Sequence, residues 1–162
     1  MTLSEVVKGD RGATLVAVNH RGPDFEEGAA MVLRVKTPDF PSYVYVTYLP
    51  ASGDAVLLYK PRGVVPEPMP PNSTIDLGGG ADRRVFRVGP PFGDEMVVAV
   101  TSASPLFTDG IPASTTERDY LTALRKTLLY KPDSAQPDRL VDAGILALTT
   151  HAKASSPAAD PK

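Results

Sequence analysis

Cysteine is absent from this 162-residue chain, which excludes a disulfide framework, a thiolate zinc site, a cysteine nucleophile and a cysteine-ligated iron–sulfur cluster. A basic excess is missing too. Lys and Arg number 17 against 19 Asp and Glu, a formal charge of −2, whereas a dedicated nucleic-acid binder needs surplus cations to displace counterions. Nucleic acid is therefore not an expected partner. Residues 1–20 lack the apolar stretch of a signal peptide or anchor, and no other segment is long enough to span a bilayer. Membrane insertion is not expected. A natural start at Met1 implies the cytoplasm; an excised domain would fit the cell envelope or periplasm. No internal repeat is seen.

Room for long helices is scarce as well. Seventeen residues are proline, about twice the usual share of roughly 5%, and each removes a backbone donor and clashes with the preceding helical turn. A helical bundle or coiled coil is excluded. Apolar residues nevertheless make up 42% of the chain, enough to bury the core of one domain.

The prolines fall between apolar runs, so the runs can be assigned separately. ATLVAVN at 13–19 reads as a strand, and His20 to Gly28 as a turn. AAMVLRVK at 29–36 alternates, with Met31, Leu33 and Val35 on one face and Arg34 and Lys36 on the other. SYVYVTYLP at 42–50 and AVLLYK at 55–60 flank the turn ASGD and predict a hairpin. PRGVVPEPMPPN at 61–72 has five prolines in twelve residues and predicts an extended surface crossover. STIDL at 73–77 and RRVFRV at 83–88 read as strands around the turn GGGAD. MVVAVTSA at 96–103 is apolar on both faces, as a central strand covered on both sides would be.

One segment departs from the β pattern. In TTERDYLTALRKTLLY at 115–130, Tyr120, Leu121, Leu124 and Leu128 recur at helical spacing, Ser114 and Glu117 form a capping-box pattern, and Pro132 ends the run. GILALTTH at 144–151 is the last strand. The expectation is a mainly β fold, an antiparallel β-sandwich of about eight strands with one α-helix before the last strand. A partly open barrel is the alternative. The domain spans residues 13–152, after an N-terminal extension at 1–12 and before a disordered tail at 153–162.

The order of these pieces resembles the bacterial family known as domain of unknown function 4384 over roughly residues 13–104. The resemblance is carried by FEEGAAMVLRV at 25–35, YVYVTYLPASGDAVLLYKP at 43–61 and FRVGPPFGDEMVVAVTSASPLF at 86–107. One departure is the Leu58, Tyr59, Lys60, Pro61 stretch, where family members commonly place a Phe-Pro-Asn type turn. The resemblance implies a β-sandwich and a bacterial setting, often beside peptidase-like, kinase or envelope-associated partners, and brings no catalytic residue with it.

The residues themselves offer little catalytic chemistry. His20 and His151, with Asp24 or Glu27, could form a base or metal site, but their spacing suggests neither. Gly-x-Ser-x-Gly is absent, and Ser102 and Ser104 at a strand end read as groups that satisfy backbone. Gly78, Gly79 and Gly80 lack the Lys-Ser/Thr pair of a phosphate cradle. Lys60, Arg62, Arg83, Arg84 and Arg87 could form a patch if their strands pair.

Binding candidates are more numerous. Tyr43, Tyr45, Tyr48 and Tyr59 cluster in the hairpin and could form an aromatic row, with Tyr43 and Tyr45 on one face and Tyr48 on the other, although core packing is the plainer reading for the set. Phe92 and Asp94 lie on the tight GPPFGDE turn at 89–95, and Pro68, Pro70 and Pro71 on the crossover. The sequence thus predicts a non-catalytic module, without metal or cofactor, that binds another protein or domain of a bacterial assembly. A small-ligand or glycan-binding sandwich is the alternative from another class, and a hydrolase using His20 or His151 the third.

Overall fold

The computed structural model describes residues 14–17, 22–61, 65–79, 82, 84–106, 114–129 and 141–153. The expected N-terminal extension and residues 154–162 of the expected tail lie outside them. Among the described residues there are eleven strands and one helix: β1 (Thr14–Ala17), β2 (Asp24–Glu26), β3 (Ala30–Met31), β4 (Leu33–Lys36), β5 (Tyr43–Leu49), β6 (Asp54–Tyr59), β7 (Thr74–Leu77), β8 (Phe86–Arg87), β9 (Asp94–Ser102), β10 (Ser114–Thr116), α1 (Glu117–Leu129) and β11 (Val141–His151).

The strands build a sandwich of unequal sheets. The large sheet has the order β10-β6-β5-β9-β11-β2, the small one β1-β4-β7, and β3 and β8 form a separate ribbon. Side-chain alternation decides what each face buries. In β4, Leu33 and Val35 are fully buried while Arg34 and Lys36 point to solvent, and Arg34 holds Asp76 of β7 through two hydrogen bonds of 2.7 and 3.1 Å. Val44 and Val46 of β5 and Val97 and Ala99 of β9 meet Leu33, Val35 and Ile75 between the sheets. The opposite face of the large sheet carries Tyr45, Leu49, Val98 and Val100, which pack under Tyr120 and Leu124 of α1. The central strand β9 is therefore covered on both sides, as its two-faced apolarity predicts. Leu128's side chain lies outside the described ones.

Several boundaries differ from those the sequence suggests. The stretch 20–28 contains β2, which pairs with β11 in parallel, Thr150 opposite Phe25. Three residues with one apolar side chain carry no readable period, and a partner more than a hundred residues away decides the strand. Of RRVFRV, the described residues Phe86 and Arg87 form the strand, pairing with the two residues of β3. The last strand starts at Val141 rather than 144, since β9 extends to Ser102 and gives it a ladder to join. The helix begins at Glu117 because 114–116 is extended and pairs with β6. Its cap is accordingly Thr116, whose Oγ1 accepts from the Asp119 N–H at 3.1 Å, two residues after the predicted Ser114.

At Gly144, β11 passes so close beneath β1 that an added Cβ would lie 2.9 Å from the Leu15 nitrogen and 3.0 Å from its Cβ. Glycine is needed here to let the two sheets close, with no demand on its φ angle. Lys153, the first residue of the expected tail, is held through its backbone N–H to Glu27 Oε1 at 3.3 Å. Among the described residues, no helix is long and apolar enough to cross a membrane.

Candidate functional site

The proline crossover is bound down along one side. Met69 exchanges both backbone hydrogen bonds with Ser42, at 2.7 and 3.0 Å. Thr37 Oγ1 donates to the Pro70 carbonyl at 2.9 Å and accepts from the Ser73 N–H at 2.7 Å, while the Asn72 N–H donates to the Pro38 carbonyl at 2.9 Å. Proline fixes φ and supplies no donor of its own, so the neighbouring segment provides the bonds that hold this stretch against the sheets. The result is a ridge with Pro68, Pro70 and Pro71 exposed.

Beside the ridge runs a groove of about 440 Å³, lined by Val44, Tyr59, Pro61, Glu67, Pro68, Met69 and Pro70. Strand β6 delivers Tyr59, whose hydroxyl lies 3.8 Å from the Met69 sulfur. Of the residues singled out in the sequence, Pro68 and Pro70 line this groove and Pro71 lies on the ridge beside it. Tyr59, one of the four clustered hairpin tyrosines, lines the groove as well. Glu67 carries no signal in its spacing.

The other candidates are dispersed. Tyr45 belongs to the core: its hydroxyl donates to the Leu106 carbonyl at 3.1 Å and accepts from the Leu106 N–H at 2.9 Å. Burial pushes this hydroxyl up, with the Leu106 bond opposing. Tyr43 is half-buried against the helix-side cluster, so the two make no exposed aromatic row. Phe92 does not protrude; it is half-buried and packs on the inter-sheet core. Asp94 is exposed and accepts from Thr149 Oγ1 at 3.3 Å.

Ser102 is buried and its Oγ accepts from the Ser104 N–H at 3.2 Å, the backbone-satisfying role expected of it. Arg84 is bonded to Asp82 and stacks over Phe86 at 5.2 Å, and Arg87 donates to the Gly28 carbonyl at 3.0 Å. Lys60 follows β6 in the large sheet's hairpin, whereas β8 lies in the ribbon, so their strands do not pair. Arg62, Arg83 and Gly80 lie outside the described residues.

His151 Nε2 lies 3.0 Å from Asp24 Oδ1, both side chains more than half exposed. His20 lies outside the described residues. Among the described residues, no group of three His, Cys, Asp or Glu side chains could hold a metal.

One buried polar cluster was not anticipated. Glu95 is 5% exposed, and its carboxylate accepts from the Tyr48 hydroxyl, from the Ala51 N–H at 3.1 Å and from Thr150 Oγ1 at 3.2 Å. It joins β9 to the end of β5, the following turn and β11. Burial and the carboxylate beside it push the Tyr48 hydroxyl well above the usual tyrosine range. The signal was present, because Glu95 shares its face with Val97 and Ala99. Its place directly after the GPPFGD turn masks that inward position in the sequence.

The fold and these sites describe a β-sandwich with an exposed groove walled by proline and tyrosine. No family model matches the chain, and no curated protein or solved structure matches it.

Proposed function

We propose that the protein is a non-catalytic interaction module of a bacterial assembly, and that the proline ridge with its groove is the docking surface. The observation that carries this reading is the anchoring of Met69, Pro70 and Asn72 by four hydrogen bonds to Thr37, Pro38 and Ser42. A surface already held in one conformation loses little entropy when a partner binds, and the apolar walls supply contact area. The resemblance read from residues 25–35, 43–61 and 86–107 points the same way, although no family model matches the chain. The His151–Asp24 pair supports a hydrolase less well, because no described hydroxyl is hydrogen-bonded to the imidazole.

Site-specific photo-crosslinking tests the proposal in native cells producing the full chain. A photoreactive residue at Pro71 should form a discrete protein adduct, and one at Lys36 on the solvent face of β4 should not. Equal adducts at both positions, or none at Pro71, would overturn it.

A further inference from the structure

The groove has a one-sided chemistry that narrows the partner. Pro61, Pro68 and Pro70 carry no N–H, and the Met69 N–H is bonded to Ser42. None of the seven lining residues has a cationic side chain, and their polar side chains are the Glu67 carboxylate and the Tyr59 hydroxyl. Glu67 is exposed, and among the described residues no side chain pairs with it. The walls thus offer acceptors and apolar rings, and few donors.

An occupant suited to such a groove brings donors and positive charge. A phosphorylated or acidic segment would meet an unpaired carboxylate, and a proline-rich segment would bring no N–H donors. Resting on the docking reading above, we infer that the groove takes an extended protein segment bearing an arginine, with the guanidinium against the Tyr59 ring and paired with Glu67. Arginine fits better than lysine, because its planar guanidinium stacks on an aromatic face and bonds a carboxylate in a fork. The flanking backbone of the segment has free N–H groups to donate to groove carbonyls, and Met69 and the pyrrolidine rings accept its apolar side chains.

Fluorescence anisotropy with the full chain tests this, using short capped peptides of alternating Thr and Val that carry Arg, citrulline or Glu at one central position. Citrulline keeps the shape of arginine without the charge. The Arg peptide should bind at least about tenfold more tightly than the citrulline peptide, which is what one charge-assisted bond supplies. Glu67→Gln should remove that preference, and Glu67→Lys should turn it toward the Glu peptide. Glu67 is exposed, so these variants leave folding intact. Equal binding of Arg and citrulline peptides, lost in Tyr59→Ser, would overturn the arginine assignment while leaving a peptide-docking groove. Failure of all peptides with the Pro71 crosslink retained would also overturn it, pointing to a folded protein surface, such as a second copy, as the groove's occupant. Failure of peptides and crosslink together would remove the docking reading itself.

Discussion

Substitution of Glu95 is the sharpest test of how this sandwich is held together. Its carboxylate accepts one bond on Oε1, from Tyr48, and two on Oε2, from the Ala51 N–H and the Thr150 hydroxyl. A hydrogen bond to a charged group contributes about 1.5–3 kcal/mol net. In Glu95→Gln the amide nitrogen must face one of these donors. The arrangement of lowest cost turns it toward Tyr48, whose hydroxyl can rotate to accept, and keeps the amide oxygen on Ala51 and Thr150. The change therefore removes charge assistance without emptying the site, a loss of about 2 kcal/mol. For a domain of this size that lowers Tm by about 4–8 °C.

Glu95→Ala goes further, leaving the Ala51, Tyr48 and Thr150 donors bare, and should cost about 3–5 kcal/mol. Urea unfolding of the wild type, Glu95→Gln, Tyr48→Phe and the double variant closes a cycle, in which coupling of about 1–2 kcal/mol is expected. A Glu95→Gln midpoint equal to wild type, together with zero coupling, would refute the claim that this cluster ties β9 to β5 and β11.

Three further outcomes follow from the packing and the caps. Gly144→Ala should destabilise by about 1–3 kcal/mol through overpacking against Leu15; Gly89→Ala, with nothing within 4 Å of the added Cβ, should be near neutral in the same urea assay. Thr116→Ala should cost about 1 kcal/mol and lower helical ellipticity, whereas Ser114→Ala, at a position paired in β10, should change neither. Tyr45, Tyr48 and Tyr120 all have hydroxyls raised by burial. The stability they contribute is therefore fully present below the ordinary tyrosine range, near pH 10, and is lost as pH rises through their folded values. An alkaline titration followed by phenolate absorbance should show these tyrosines ionising together with the loss of tertiary circular dichroism. Ionisation of every tyrosine below pH 10 in a folded chain would contradict the burial.

Much of the architecture was legible because it rests on local periodicity. Leu33 and Val35 alternate with Arg34 and Lys36, and MVVAVTSA has no polar face. Tyr120 and Leu124 recur at helical spacing. Each pattern dictates which side of an element must leave water. The short pieces were not legible in this way. β2 and β10 have three residues each, too few to show a period, and they exist because β11 and β6 present open edges to them. The cap moved from Ser114 to Thr116 for the same reason, once pairing held 114–116 extended.

The candidate site divides similarly. Proline content alone marked 61–72 as a segment that cannot pair as a central strand and so as a surface crossover, since a missing N–H is a property of the residue. That Pro68 and Pro70 wall a groove with Tyr59 and Glu67 depends on where Ser42 and Thr37 anchor the crossover. Tyr43, Tyr45, Tyr48 and Tyr59 look alike in sequence, yet one is half-buried under the helix, one in the core, one bonded to Glu95 and one in the groove. Composition and alternation determine which surfaces leave water and which segments cannot pair. Long-range backbone pairing decides which of those surfaces meet, because contacts between distant segments are set by sheet register, which no local stretch of sequence contains.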